Sequence, residues 1–158
     1  TFNISEDDSL LTRQIEGEEL FNLSLITGNL NNTDFSKVHL FPPVKGIVTQ
    51  DFNPKENHYG TDIVTASNKV VSAVMDGTVI MANWTLETGY VIQIQHKNDL
   101  ISVYKHNAEL IKKIGNRVTA GEAIAIIGNS GELTSGPHLH FELWHNGTPI
   151  DPEDYIAF

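Results

Sequence analysis

The chain has 158 residues, enough for one domain of ordinary size with a substantial core. Its formal net charge of -10, from 10 basic and 20 acidic residues, argues against a nucleic-acid partner, because such binding depends on Lys and Arg that neutralise phosphates. The same charge argues against docking on an anionic membrane surface, and no apolar run approaches the roughly 20 residues that a direct membrane insertion needs.

The chain has no cysteine, which rules out disulfides and thiolate metal ligands. Any metal would therefore be held by His, Asp or Glu. The sequence begins at Thr1 without an initiator Met, which indicates a trimmed, mature or recombinant piece. An upstream targeting segment or membrane anchor stays open at this point, as does the oligomeric state.

Composition changes near residue 40, where we predict a boundary between an N-terminal arm or stalk over residues 1-40 and a folded domain over residues 41-158. In the arm, Ser5 is followed by EDD and then by apolar residues at helical spacing, which predicts an N-capped amphipathic helix. The stretch TGNLNNTDFS predicts a loop, and the prolines of the following FPPV oppose helix formation.

Beyond these prolines the sequence predicts an antiparallel, barrel-like β-sheet. Segments such as KGIVTQDF, GYVIQIQH and LISVYKH are short, rich in β-branched residues and separated by turn formers. The pairs Asp76-Gly77 and Asn146-Gly147 are typical of tight hairpins. The stretch NAELIKKI, before Gly115, indicates a short helical turn.

Two motifs place polar side chains at even spacing. Because alternate residues of a strand share a face, His58 and Asp62 of HYGTD should project together, and Gly60 leaves the space between them empty. His138 and His140 of HLH share a face by the same rule, while the apolar residues next to them point into the core. Each motif therefore offers two polar groups to one surface.

Tyr104 and His106 of VYKH form a third pair at this spacing, which we expect on the same face. A His-rich face in an apolar sheet needs a partner that offsets burial, and a divalent metal is the natural one. Zinc fits best, because imidazole and carboxylate ligands without thiols are typical of three-ligand catalytic zinc sites. Five candidate groups exceed three ligands, so the two surplus histidines could act as base, acid or oxyanion donor.

Four motifs in order resemble those of the lysostaphin-type, or LytM-like, zinc peptidases, which cut peptides of bacterial peptidoglycan. HYGTD resembles the family's H-x-G-x-D, YKH its Y-x-H, SGPHLHFE its GPHLHFE, and NGTPIDPEDYI its usual ending. The resemblance covers roughly residues 41 to 156. It implies a zinc endopeptidase of the bacterial cell envelope, periplasmic or extracytoplasmic, that acts on peptidoglycan stem peptides or cross-links.

The resemblance also implies roles for the five residues. His58, Asp62 and His140 would bind one zinc ion, while His106 and His138 would stay off the metal and act on the water and the carbonyl. Which of these two histidines is the base, and which stabilises the oxyanion, stays open. The bond that is cut is equally open.

Alternatives to a peptidase remain. Some relatives with this fold have lost ligands and serve as binding modules that activate other cell-wall hydrolases, whereas all five positions are filled here, which favours an enzyme. A serine hydrolase built on Ser130 or Ser135 is disfavoured, since no G-x-S-x-G elbow is present. We also hypothesise that an Asn or acidic residue from residues 18 to 36 reaches the metal and holds the enzyme latent, because such groups are dense there.

Four other residues have less specific interpretations. His39, His96 and His145 lie alone near turns and are interpreted as surface residues. Glu142 continues the face of His140 and could either orient a metal ligand or lie solvated at the end of a strand.

Overall fold

The computed structural model describes residues 39–128 and 137–158. These residues form strands β1 (Ile47–Gln50), β2 (Thr61–Val64), β3 (Val70–Ser72), β4 (Gly77–Thr85), β5 (Gly89–His96), β6 (Leu100–Leu110), β7 (Arg117–Val118), β8 (Ala123–Ile127), β9 (His138–His145) and β10 (Thr148–Ile150). Two short 3-10 turns span Pro54–Glu56 and Pro152–Asp154. Within the described ranges, no helix is long and apolar enough to cross a membrane.

The strands pair in the order β1-β2-β9-β6-β5-β4-β7, with β10 beside β9, and β8 between β3 and the second half of β6. Neighbouring strands run antiparallel, which confirms the predicted mainly antiparallel β fold. The predicted arm helix, the loop after it, and both serines of the serine-hydrolase alternative lie outside the described residues. The domain boundary near residue 40 stays a prediction.

Strand β6 changes partner in its middle. Its first half, from Leu100 to Lys105, pairs with β9, and its second half, from Asn107 to Leu110, pairs with β8. His106 lies at the junction and has a left-handed backbone, with φ of 69°. Regular alternation of side chains therefore ends at His106.

The main core lies on one face of the sheet. Leu139 and Phe141 of β9 are fully buried in it, as the alternation predicted. The opposite face carries a smaller buried cluster, which consists of Val91, Ile101, Val103 and Trp144. Since the side chains of β9 alternate, His138 and His140 emerge on this second face, next to the smaller cluster.

The two pairs that predicted hairpins differ in outcome. Asn146 and Gly147, with φ of 52° and 75°, connect β9 to its antiparallel neighbour β10 and confirm the hairpin predicted there. The prediction at Asp76-Gly77 is wrong, because β3 and β4 pair with different strands. Gly77 is needed there for close approach, since a Cβ at this position would lie 2.4 Å from the carbonyl oxygen of Gln95.

The helical turn predicted over NAELIKKI is wrong. Strand β6 runs on to Leu110 beside β8, and the amide of Ile111 still donates to the carbonyl of Ile124 at 2.8 Å. A turn follows, in which the amide of Asn116 donates to the carbonyl of Lys113 at 3.0 Å. Pairing with a distant strand therefore overrides the local pattern.

Of the three isolated histidines, His39 is exposed and His145 is half-buried, but His96 is only 4% exposed, so its assignment to the surface is wrong. Its Nδ1 donates to the carbonyl of Asp76 at 2.8 Å, and its Nε2 lies 2.7 Å from Oγ of Ser102. These partners satisfy both ring nitrogens in the core. Desolvation lowers the pKa of His96 below its ordinary value and so favours the neutral ring.

Candidate metal centre

The structure brings His58, Asp62 and His140 together. One ligand atom from each residue lies within 4.8 Å of the other two. Asp62 on β2 faces His140 across the β2–β9 pairing. His58 precedes β2 and is fixed by two backbone hydrogen bonds with Asn53, at 2.8 and 3.0 Å. The family resemblance implied these three residues as one ligand set, and the fold makes them neighbours.

The ring of His58 is oriented by the backbone. Its Nδ1 donates to the carbonyl of Asp51 at 2.7 Å, so that Nε2 is the ring nitrogen available as a metal ligand. This Nε2 lies 3.3 Å from Oδ2 of Asp62, is buried, and has no hydrogen-bond partner among the described residues. Two acceptor atoms that face each other at this distance are stabilised by a cation bound to both.

The ring of His140 lies between two carboxylates. Its Nδ1 is 2.7 Å from Oδ1 of Asp62, and its Nε2 is 2.8 Å from Oε2 of Glu142. Burial lowers the pKa of His140, but the hydrogen bonds with Asp62 and Glu142 outweigh burial and raise it to about 8. A metal bound at Nδ1 would replace the proton on the side of Asp62, while Nε2–H stays on Glu142.

Asp62 keeps its negative charge in this surrounding. Burial raises its pKa, but the hydrogen bond with His140 and the charges of the neighbouring imidazoles outweigh burial and leave the pKa below its ordinary value. Asp62 is therefore ionised at neutral pH, as a metal ligand must be.

Gly60 leaves the space that the sequence analysis expected of it. A Cβ at this position would lie 2.9 Å from Nε2 of His140, 2.8 Å from Cγ of Glu142 and 2.5 Å from the carbonyl oxygen of Phe141. Any larger residue at position 60 would therefore displace the ring of His140 or the side chain that supports it.

His106 and His138 lie beside the three candidate ligands. Their ring centroids are 5.0 Å apart, and the ring of His106 is 6.2 Å from that of His140. Burial, together with the charges of His140 and His138, lowers the pKa of His106 to about 4, although Asp62 opposes this shift. His106 is thus a neutral imidazole at neutral pH, and its Nδ1 is buried with no hydrogen-bond partner among the described residues.

Tyr104 does not share the face of His106, contrary to expectation. Its ring packs against Phe141 in the core, with centroids 5.2 Å apart, and its hydroxyl accepts from the amide of Val74 at 3.2 Å. The left-handed backbone of His106 breaks the two-residue alternation, so His106 joins Lys105 on the face of the metal centre.

Glu142 supports His140 and is not a solvated strand end. It is 4% exposed, and its carboxylate accepts from Lys105 Nζ at 3.0 Å and from Trp144 Nε1 at 2.9 Å. Burial raises the pKa of Glu142, but the hydrogen bond with His140 and the charge of Lys105 lower it to about 2. Sequence analysis missed Lys105 and Trp144; the available signal was a lysine in the middle of an apolar strand.

The donor set fits zinc. Two imidazole nitrogens and one carboxylate without thiols form a three-ligand site of the catalytic type, which keeps one position open. The unpartnered Nε2 of His58, aimed at a carboxylate oxygen, is the observation that favours a bound metal over a hydrogen-bonded cluster.

Comparison with known proteins gives three kinds of similarity. Residues 56–152 match the family profile of Peptidase family M23. The chain is similar to the murein hydrolase activator NlpD of Escherichia coli, at 34% identity over 116 residues, which cover 72% of this chain and 30% of that protein. It is also similar to the peptidoglycan DD-endopeptidase ShyA of Vibrio cholerae, at 36% identity over 94 residues, which cover 60% of this chain and 22% of that protein.

Among solved structures, the chain is similar to a zinc containing peptidase from Vibrio cholerae, with a TM-score of 0.65 and 32% sequence identity. The match covers 75% of this chain and 39% of that chain. This chain thus spans 22 to 30% of the length of the two curated relatives named above.

Proposed function

Because the chain belongs to peptidase family M23, we propose that it is a zinc-dependent endopeptidase that hydrolyses amide bonds in peptidoglycan stem peptides or cross-links. The family match confirms the resemblance that the four sequence motifs carried. The single observation that supports an enzyme most is the geometry of His58, whose lone-pair nitrogen faces the carboxylate of Asp62 beside His140. The peptidoglycan substrate would place the protein in the bacterial cell envelope, outside the cytoplasm.

In this proposal Nε2 of His58, an oxygen of Asp62 and Nδ1 of His140 hold one zinc ion. Zinc bound there would polarise the scissile carbonyl and bring the pKa of its water toward about 7. Asp62 supplies the one negative charge of the ligand set, and its two oxygens already face the two imidazoles. The hydrogen bonds to Asp51 and Glu142 thus orient both imidazoles toward Asp62.

His106 and His138 carry the proton steps. A neutral imidazole in this position takes a proton from the attacking water and later passes it to the leaving amine, a role that typically contributes about 100-fold or more in rate. The second ring donates a hydrogen bond to the carbonyl oxygen as negative charge develops on it. The contact between the two rings, at 5.0 Å, allows either assignment.

The similarity to the murein hydrolase activator NlpD favours a second candidate function. In that role the domain would bind peptidoglycan, or another cell-wall hydrolase, and increase the activity of that hydrolase without cutting a bond itself. The five site residues would then be dispensable for function.

One experiment separates the two candidates. Chelator-stripped protein is incubated with purified cross-linked peptidoglycan, of both the diaminopimelate and the glycine-bridge type, with and without zinc, and released fragments are identified by mass spectrometry. Asp62→Asn serves as the matched variant, because it keeps the size of the side chain and removes the ligand charge. Zinc-dependent fragments from the parent protein alone would support the endopeptidase. No fragments from either substrate, with equal stimulation of an added cell-wall hydrolase by both proteins, would favour the activator.

A further inference from the structure

We propose that Glu142, held in place by Lys105 and Trp144, is a positioning residue that fixes the ring of His140 for metal binding. This inference rests on the proposed function, because it concerns the same metal centre. Glu142 contacts the candidate ligand His140 directly, and Lys105 and Trp144 contact Glu142.

Glu142 and His140 are joined by a hydrogen bond. The two residues are two positions apart on β9, so they share a face, and Oε2 of Glu142 lies 2.8 Å from Nε2 of His140. Nε2–H donates to this oxygen, and Nδ1 is therefore the nitrogen presented to Asp62, at 2.7 Å. A carboxylate behind a ligating histidine fixes both the tautomer and the ring orientation.

Glu142 is itself held in place by Trp144 and Lys105. Its Oε1 accepts from Nε1 of Trp144 at 2.9 Å, and its Oε2 accepts from Nζ of Lys105 at 3.0 Å. The side chains of Lys105 and Glu142 are 7% and 6% exposed, respectively. A buried carboxylate with donors at both oxygens has no alternative position to adopt, so the ring that it holds is equally constrained.

The charge of Glu142 is balanced by the charge of Lys105. A lone carboxylate at this depth would be costly to bury, and Lys105 offsets that cost by pairing with it. Lys105 lies directly opposite His140 in the pairing of β6 with β9, which places its ammonium group beside the carboxylate. Glu142 can therefore orient His140 without adding net negative charge to the metal centre.

The test measures zinc affinity in the full chain by competition with a chromophoric chelator, together with the melting temperature of the metal-free protein. Glu142→Gln should weaken zinc binding by about 10- to 100-fold, the usual effect of losing such a partner. Glu122→Gln is the matched control, because Glu122 also pairs with a lysine, Lys112, but lies outside the metal centre. The control should bind zinc as the parent protein does.

Two further variants keep the test decisive if Glu142→Gln does not fold, as the charge of Lys105 would then be buried without its partner. Glu142→Gln combined with Lys105→Met removes both charges and should show the same loss of zinc affinity. Trp144→Phe removes the hydrogen bond to Glu142 while both charges stay, and it should weaken zinc binding by a smaller factor. A purely structural role would lower the melting temperature and leave zinc affinity unchanged.

Parent-level zinc binding by a folded Glu142 variant would overturn the inference while leaving the proposed function intact. Failure of the parent protein to bind zinc would instead remove the proposed function, and this inference with it. The visible absorption of the cobalt-substituted protein adds a second readout, since a shifted ligand ring changes the spectrum of Co2+ even where the protein remains folded and loaded.

Discussion

His58 and His140 are each oriented through the ring nitrogen that faces away from Asp62. His58 donates from Nδ1 to the carbonyl of Asp51 at 2.7 Å, and His140 uses Nε2 on the carboxylate of Glu142 at 2.8 Å. Each bond leaves the other nitrogen directed at Asp62. The orientation of the candidate ligand atoms is thus set by contacts made outside the candidate ligand set, as is usual for metal-binding histidines.

Gly60 offers a direct test of this spacing. Gly60→Ala puts a methyl group 2.9 Å from Nε2 of His140 and 2.5 Å from the carbonyl oxygen of Phe141, so the ring must shift. We expect weaker zinc binding and a fall of about 100-fold in peptidoglycan cleavage, because small displacements at a reacting centre have effects of this size. Both are measured against the parent protein.

Gly115→Ala is the control for that variant. A Cβ at Gly115 meets no atom within 4 Å, but φ there is +89°, so the change costs only backbone strain, about 1 to 2 kcal/mol. Zinc affinity should stay at the parent value. Equal zinc affinity and cleavage in Gly60→Ala would contradict the account of the site.

His96 predicts a pH dependence of stability away from the metal centre. Its folded-state pKa lies below the ordinary value of 6.5 because of desolvation, so the unfolded chain binds the proton more readily. The stabilisation by the neutral ring is therefore present above pH 6.5 and is lost as the pH falls below that value toward the folded-state pKa.

Denaturant unfolding at a series of pH values from about 7.5 down to about 5 measures this effect. The free energy of unfolding of the parent protein should fall over that range. His96→Gln should be less stable at the upper end but show a flatter dependence on pH. Parallel curves for the two proteins would show that His96 does not titrate as described.

Among the strands, β6 places two residues of the candidate site, Lys105 and His106. Its first half places Lys105 opposite His140, and its second half leaves for β8, with His106 at the junction in a left-handed conformation. A left-handed residue that is not Gly is uncommon, and such residues cluster at functional sites. Here the conformation moves His106 from the face of Tyr104 to the face of the metal centre.

Substitutions at His106 should distinguish the effect of backbone strain on stability from the effect of losing the imidazole on the cleavage rate. Asn adopts left-handed backbone readily, so His106→Asn should fold, bind zinc as the parent does, and lose about 100-fold or more in cleavage rate. His106→Val should instead lower the melting temperature as well, because a β-branched residue with φ of 69° is strained by about 1 to 3 kcal/mol. Unimpaired cleavage by His106→Asn would exclude His106 from the proton steps.

The elements also show where sequence reasoning succeeds. The face shared by His138 and His140 was predictable, because β9 is a regular strand and alternation within it needs only local information. The position of Tyr104 was not, since the change of partner in β6 depends on strands far away in the chain. The role of Lys105 was equally hidden, because a lysine in a strand ordinarily reaches solvent, and its carboxylate partner lies on another strand.

At the scale of the whole molecule, one antiparallel sheet separates two environments. The main core occupies one face, while the other carries the candidate ligands, the buried Glu142 network and the smaller apolar cluster with Trp144. The candidate site therefore lies on the face of the sheet opposite the main core. The four ordered motifs were enough to predict the family, whose profile matches residues 56–152.

The hypothesis that a residue of the N-terminal arm holds the enzyme latent stays a prediction. If a residue within 18 to 36 binds the metal and blocks it, removal of residues 1 to 36 should raise the rate of peptidoglycan cleavage. Removal of residues 1 to 17 is the matched control and should leave the rate unchanged. An unchanged rate after the longer deletion would eliminate the hypothesis.

In the proposed function, zinc held by His58, Asp62 and His140 makes the chain an endopeptidase. The most direct measurement titrates zinc into chelator-stripped protein and records bound zinc and released peptidoglycan fragments in the same samples. We expect both signals to saturate together at about one zinc per chain, as a three-ligand catalytic site requires, and Asp62→Asn to show neither. Saturated zinc binding without any released fragment, or fragments released without zinc, would contradict it.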